Sequence, residues 1–186
     1  MLECFYPDQY LCSAYQIDYQ SYYDMGYRGI IFDIDNTLVC HGAPPDEKSI
    51  ALIEQLKKMG FRILLLSNNK EPRVKKFHDA VRVQYIYKAG KPGKKGYLKA
   101  MEKLGTSPDT TLFVGDQLFT DVWGAKKSGI LSLLVKPIDP REEIQIVLKR
   151  KLERIVLSSY KRKCKREGKP FLHKQKEESS TGEKYI

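Results

Sequence analysis

GIIFDIDNTLV, residues 29–39, joins an apolar run of strand length, Gly29 to Phe32, to two carboxylates, Asp33 and Asp35. An apolar run without polar alternation marks a strand buried on both faces. In extended backbone, residues two apart leave the chain on the same side. The stretch therefore reads as a central parallel strand that ends in a pair of acids at its carboxyl edge. A lone D-x-D is also common as a solvated turn, so its neighbourhood decides the reading.

Further apolar runs follow at Phe61–Leu66, Val83–Tyr87, Thr111–Val114 and Leu131–Val135, with helix-like segments between them at Asp46–Met59, Glu71–Ala80, Gly93–Leu104 and Thr120–Ser128. This alternation with short crossovers predicts an α/β fold, a Rossmann-like three-layer sandwich with a mostly parallel five-stranded sheet. The first helical segment sets Ile50, Ile53, Leu56 and Lys57 at helical spacing and stops at Gly60, where a left-handed cap is expected. The expected domains are an N-terminal extension over 1–28 packed on the core, the α/β domain over 29–160, and a basic, flexible tail over 161–186. After Pro140, a stripe of Ile144, Val147, Leu148, Leu152 and Ile155 predicts a helix packed on the domain, with order ending near Tyr160.

The other strand ends also carry chemistry. FRILLLSNN delivers Ser67, Asn68 and Asn69. Lys91 follows the third strand, directly before Pro92, a residue suited to the first turn of a helix. GDQLFTD places Asp116 at the end of the fourth strand and Asp121 at the start of the next helix. Four strand ends thus bring a carboxylate pair, a hydroxyl, an ammonium and a second carboxylate pair to one edge, which suits a hard divalent cation and phosphoryl transfer to an Asp. This ordered set, over residues 29–135, resembles the four motifs of the haloacid dehalogenase superfamily. YRGIIFDIDNTLV, SNN, AGKP and VGDQLFTDVWGAKKSG are similar to its subclass III A phosphatases and to the phosphatidylglycerophosphate phosphatase family within them.

The resemblance implies a phosphatase in which Asp33 is the nucleophile and forms an aspartyl-phosphate. Asp35 is then the acid that protonates the leaving alkoxide and the base for the hydrolytic water. Ser67, Asn68 and Lys91 bind the phosphoryl oxygens, and Thr37 and Asn69 support the site. Mg²⁺ is implied as cofactor, held by Asp33, Asp35 through its carbonyl, Asp116 and Asp121. Lys91 is preferred to Lys88, Lys94 and Lys95 because it precedes the proline of the motif. The implied partner is a phosphomonoester, an anionic phospholipid, with phosphatidylglycerophosphate converted to phosphatidylglycerol. The alternatives are a soluble phosphatase of small sugar or nucleotide monophosphates, and a non-catalytic interaction protein of the same fold. Only 29 residues lie between Thr37 and Ser67 and 23 between Ser67 and Lys91, already filled by a helix and a strand each, so no cap domain is expected.

Composition bounds these readings. The chain of 186 residues is 41% hydrophobic and 30% charged, which excludes collagenous and disordered classes. No apolar run approaches bilayer length and no leader pattern follows Met1, so the expected location is cytoplasmic, with peripheral contact on the inner face of the membrane. Cys4, Cys12, Cys40 and Cys164 lack the spacing of a disulfide framework or zinc site, and His41, His78 and His173 share no ligand spacing. Of the net charge of +10, residues 149–186 hold 13 basic against 5 acidic side chains, and the rest hold 20 against 18. Such a basic end suits an anionic partner, phospholipid or nucleic acid, or serves only as a solvated end, and charge alone does not choose; no nucleic-acid-binding module is recognisable, and anionic lipid would attract the run.

Overall fold

The computed structural model describes residues 2–139 and 144–172. Among them run β1 (Gln9–Leu11), β2 (Gly29–Phe32), β3 (Arg62–Leu66), β4 (Gln84–Ile86), β5 (Thr111–Gly115) and β6 (Leu131–Val135). They form one sheet in the order β1-β6-β5-β2-β3-β4, and every neighbouring pair is parallel. The five expected strands are present, but the expected count is corrected to six. Gln9–Leu11 is too short to signal a strand by its own pattern, and it is set by its neighbour: it pairs with Leu133–Val135. Just before it, the Asp8 carboxylate accepts from the backbone N–H and hydroxyl of Ser132, at 2.8 and 2.7 Å, and pairs with Lys126 at 2.9 Å. Part of the N-terminal extension is therefore in the sheet rather than packed upon it.

The helices are α1 (Tyr19–Asp24), α2 (Glu47–Lys58), α3 (Glu71–Val81), α4 (Lys94–Leu104), α5 (Trp123–Lys127) and α6 (Ile144–Glu167). The pleat sends Ile30 and Phe32 of β2 to one face, where they join Leu52, Ile53 and Leu56 of α2 with Val74 and Phe77 of α3. Ile31 points the other way, toward Tyr97, Ala100, Met101 and Leu104 of α4 and Ala125 of α5. Cover on both faces is why β2 is apolar throughout, and each fully buried aliphatic side chain contributes about 1.5–3 kcal/mol of transfer free energy. α2 starts at a capping box between Asp46 and Ser49, and Gly60 just beyond it has φ +97°, the left-handed conformation expected there. Pro92 lies outside the next helix, correcting its expected place in the first turn: Gly93 is the N-cap of α4. The chain between β2 and β3 carries α2, and that between β3 and β4 carries α3, with no cap domain at either point.

The carboxyl-terminal expectations need larger correction. α6 continues to Glu167, so Lys161–Arg166 lie in a helix rather than in a flexible tail after Tyr160. Its buried side is Glu153, Val156, Tyr160 and Cys164; the last three pack with Tyr6, Leu118, Val122 and Leu134. Leu152 and Ile155 of the expected stripe are 52% and 61% exposed. The docked face is offset from the apolar stripe because it includes a charged side chain, Glu153, which a hydropathy pattern assigns to solvent. The side chains of Ile144, Val147 and Leu148, and residues 173–186 with His173, lie outside the described residues.

Candidate active site

From β2 the chain proceeds to β3 and β4, then returns to place β5 on the opposite side of β2. Strand order thus reverses between β2 and β5, and in an open parallel sheet the crevice at the carboxyl ends beside such a reversal is where ligands bind. Asp33 follows β2 there, and Asp116 follows β5. Asp121 lies in a wide π-helical turn, Leu118–Val122, rather than at the start of a regular helix. The carboxylates of Asp33, Asp116 and Asp121 are buried and offer oxygens within 4.8 Å of one another.

Each acid is held by identifiable contacts. Lys91 Nζ donates to Asp33 Oδ1 at 2.5 Å and to Asp121 Oδ1 at 2.7 Å, with its own side chain 3% exposed. Lys88, Lys94 and Lys95 are exposed, so Lys91 alone of the four rivals enters the site. The Thr37 hydroxyl donates to Asp116 Oδ1 at 3.2 Å, with Asp33 Oδ2 at 3.5 Å, bridging the β2 and β5 loops. Asp121 Oδ2 accepts from the backbone N–H of Gln117 at 3.1 Å. A Cβ on Gly115 would stand 2.6 Å from that same oxygen, so only glycine at the end of β5 leaves room for this carboxylate.

Burial pushes Asp33 up to about 7 against the opposing pull of Lys91, with the nearby Asp121 charge adding to the rise. Burial likewise drives Asp116 well above the ordinary carboxylate range, although the Arg150 guanidinium opposes it. Burial alone would lower Lys91, but the charges of Asp121 and Asp33 prevail and hold it above the ordinary lysine value. Asp33, Asp116 and Asp121, with Glu153 behind them, face the two cations Lys91 and Arg150, so full ionisation leaves two negative charges unbalanced. An all-oxygen donor set with that deficit fits a hard divalent cation such as Mg²⁺.

The Asp35 carboxylate is not among these three. It accepts from the Gly42 N–H at 2.7 Å, Asn69 Nδ2 at 2.6 Å and Arg73 Nη2 at 2.9 Å. β2 ends at Phe32, and just past Asp35 the chain turns at Asn36 with a left-handed φ of 60°. Ser67 is buried and its hydroxyl accepts from the Asn69 N–H at 3.2 Å. The side chain of Asn68 accepts from Lys91 N–H at 2.8 Å and donates to Lys91 O at 3.1 Å, so its amide secures the lysine loop.

Sequence reasoning missed Arg73, Arg150 and Glu153. Arg150 Nη2 pairs with Asp116 Oδ2, and its Nη1 donates to the Asp116 carbonyl at 2.6 Å and to Glu153 Oε2 at 2.8 Å. Glu153 Oε1 in turn accepts from the Leu118 N–H at 2.7 Å. An arginine and glutamate three apart on one helix was the available signal, but Lys149, Lys151 and Arg154 surround it.

Comparison with known proteins supplies independent findings. The family described as haloacid dehalogenase-like hydrolase matches residues 39–129, a range that begins after Asp33 and Asp35. A Bacillus subtilis (strain 168) protein named Probable phosphatase YqeG is 34% identical over 160 residues, covering 86% of this chain and 93% of that protein. Phosphatidylglycerophosphate phosphatase 1, chloroplastic/mitochondrial, from Arabidopsis thaliana is 28% identical over 172 residues, covering 84% of this chain but 47% of its own length. The crystal structure of an uncharacterized protein from Listeria monocytogenes serotype 4b aligns with a TM-score of 0.50 at 17% identity, covering 62% of this chain and 85% of that one, a similarity of fold alone.

Proposed function

The chain belongs to the haloacid dehalogenase-like hydrolases and is a phosphatase, and from that premise we propose that it is a Mg²⁺-dependent phosphomonoesterase acting through Asp33, with phosphatidylglycerophosphate as its substrate. The observation that carries the reading is the buried cluster in which Lys91 spans Asp33 and Asp121 while Asp116 stands within 4.8 Å. Asp33, Asp116 and Asp121 would hold the cation, which supplies charge compensation between the phosphoryl oxygens and the carboxylates. An oxygen of Asp33 attacks phosphorus, and the bond from phosphorus to the leaving alkoxide breaks. Asp35 gives that alkoxide its proton. Asp35 then takes a proton from water as the water oxygen attacks the aspartyl-phosphate, and the bond from phosphorus to Asp33 breaks to release phosphate. Arg73, Asn69 and the Gly42 N–H keep Asp35 oriented between these two steps. Lys91, whose backbone is held by Asn68, presents an ammonium that draws the phosphoryl oxygens toward Asp33.

Asp33 gives a pH test. Its folded-state value lies above the ordinary 3.8, so its contribution to stability is present at low pH and is lost as pH rises through about 7. A cation needs the charged form and reverses that loss, so the rise in melting temperature on adding Mg²⁺ should grow between about pH 5 and pH 8. A rise independent of pH would remove Asp33 from the metal set.

The lipid reading is supported by the plant relative's name, by the uncapped crevice and by the exposed side of α6, where Arg162, Lys165 and Arg166 accompany Leu152 and Ile155. No helix among the described residues is long and apolar enough to cross a membrane, so the contact proposed is peripheral. Lys163 is engaged with Glu3 at 2.8 Å and is left out of the proposed surface. Replacing Arg162, Lys165 and Arg166 by Gln should weaken binding to anionic vesicles at low salt by about tenfold or more. Hydrolysis of a small soluble phosphoester should be unchanged. Equal loss of both activities, or wild-type protein that does not float with the vesicles, would favour a small soluble substrate instead.

A further inference from the structure

Arg150 reaches Asp116 from α6, outside the matched family range and 34 residues along the chain. Its fork takes Asp116 twice, through Oδ2 and the backbone carbonyl, while Oδ1 remains with the Thr37 hydroxyl on the side of Asp33. Two-point contact of this kind fixes both the carboxylate rotamer and the peptide at the end of β5, which a single ammonium contact does not. The arginine is itself held, because Glu153 grips Nη1 with one oxygen and the Leu118 N–H with the other. Leu118 opens the π-helical turn that carries Asp121. One arginine–glutamate pair on α6 therefore braces both Asp116 and the turn that bears Asp121.

We infer that Arg150, locked by Glu153, is a positioning residue that sets Asp116 for the divalent cation and so makes a docked α6 a condition of metal binding. This rests on the reading of Asp33, Asp116 and Asp121 as a cation site. Partners behind metal ligands commonly govern affinity by about 10- to 100-fold. A merely electrostatic role predicts the opposite sign, since deleting a positive charge beside the site would tighten cation binding.

The test is Mn²⁺ binding, followed by electron paramagnetic resonance, on full-length wild type and on Arg150→Met, Arg150→Lys and Glu153→Gln, with Lys151→Met as an exposed control on the same helix. Circular dichroism melts in chelator establish the folded fraction. Arg150→Met is expected to weaken Mn²⁺ binding at least about tenfold in the folded protein, Arg150→Lys to remain weakened because an ammonium lacks the planar fork whose two nitrogens meet Oδ2 and the carbonyl separately, Glu153→Gln to fall between, and Lys151→Met to match wild type. If Arg150→Met does not fold, Arg150→Lys and Glu153→Gln decide. Unchanged or tighter Mn²⁺ binding in the folded variants would overturn the inference even if their melting temperatures fall. Wild type that binds no Mn²⁺ would instead overturn the cation-site reading on which it depends.

Discussion

Asp33→Asn is expected to abolish turnover, by about 10⁴-fold or more, while leaving the fold and its stability close to wild type. An amide of nearly the same volume cannot form the aspartyl-phosphate, so no slower version of the same route survives. Its structural effect is small for two opposed reasons. The charged form of Asp33 is costly in this burial, which lifts its value to about 7, so removing the charge relieves a penalty. Lys91 loses one partner but keeps Asp121 at 2.7 Å. The net change in unfolding free energy should lie within about 1 kcal/mol by denaturant titration. Purified Asp33→Asn that retains normal phosphate release would dismiss Asp33 as the nucleophile.

Lys91→Met should instead damage stability most in chelated protein. It leaves Asp33 and Asp121 buried beside one another with their shared cation gone, and breaking a buried ion pair from one side costs about 3–5 kcal/mol. The two acids can take up a proton to lessen the cost. Without the opposing pull of Lys91, burial lifts Asp33 further, so the loss should be greatest above about pH 7 and shrink as pH falls. Mg²⁺ should restore part of the stability but little of the activity. Denaturant titrations in chelator at two pH values provide the measurement, and a loss below about 0.5 kcal/mol would mean that Lys91 does not neutralise both acids.

The strands that bear the site were legible because each is covered on both faces and reads as an unbroken apolar run, as Ile30 to Phe32 and Leu64 to Leu66 do. Asp33, Lys91, Asp116 and Asp121 were legible because their chemistry recurs at the ends of such runs. The partners of Asp35 were not legible, because Asn69 and Arg73 reach it from the end of β3 and from α3, 34 and 38 residues along the chain. The readings of Ser67 and Asn68 rested on position, which does not reveal the backbone partners of a side chain, such as those Asn68 has in Lys91. Arg150 was hidden among its basic neighbours because only tertiary packing selects which of them turns inward. β1 was hidden because three residues carry too little pattern to outweigh a loop.

The pairing of β1 with β6 sets an order of events during synthesis. Gln9–Leu11 leaves the ribosome more than a hundred residues before Leu133–Val135, the strand it must join. Until β6 emerges, that first segment has no edge to add to, and until α6 emerges, Asp116 lacks its guanidinium brace. Contacts so distant in sequence slow the search for the native arrangement and leave unpaired edges open meanwhile. A nascent chain arrested just after β5 would therefore carry Asp33, Lys91 and the first acid of the GDQLFTD segment, yet lack the strand that joins β1 to the sheet. The cation site so braced awaits α6, the latest of these elements to be synthesised.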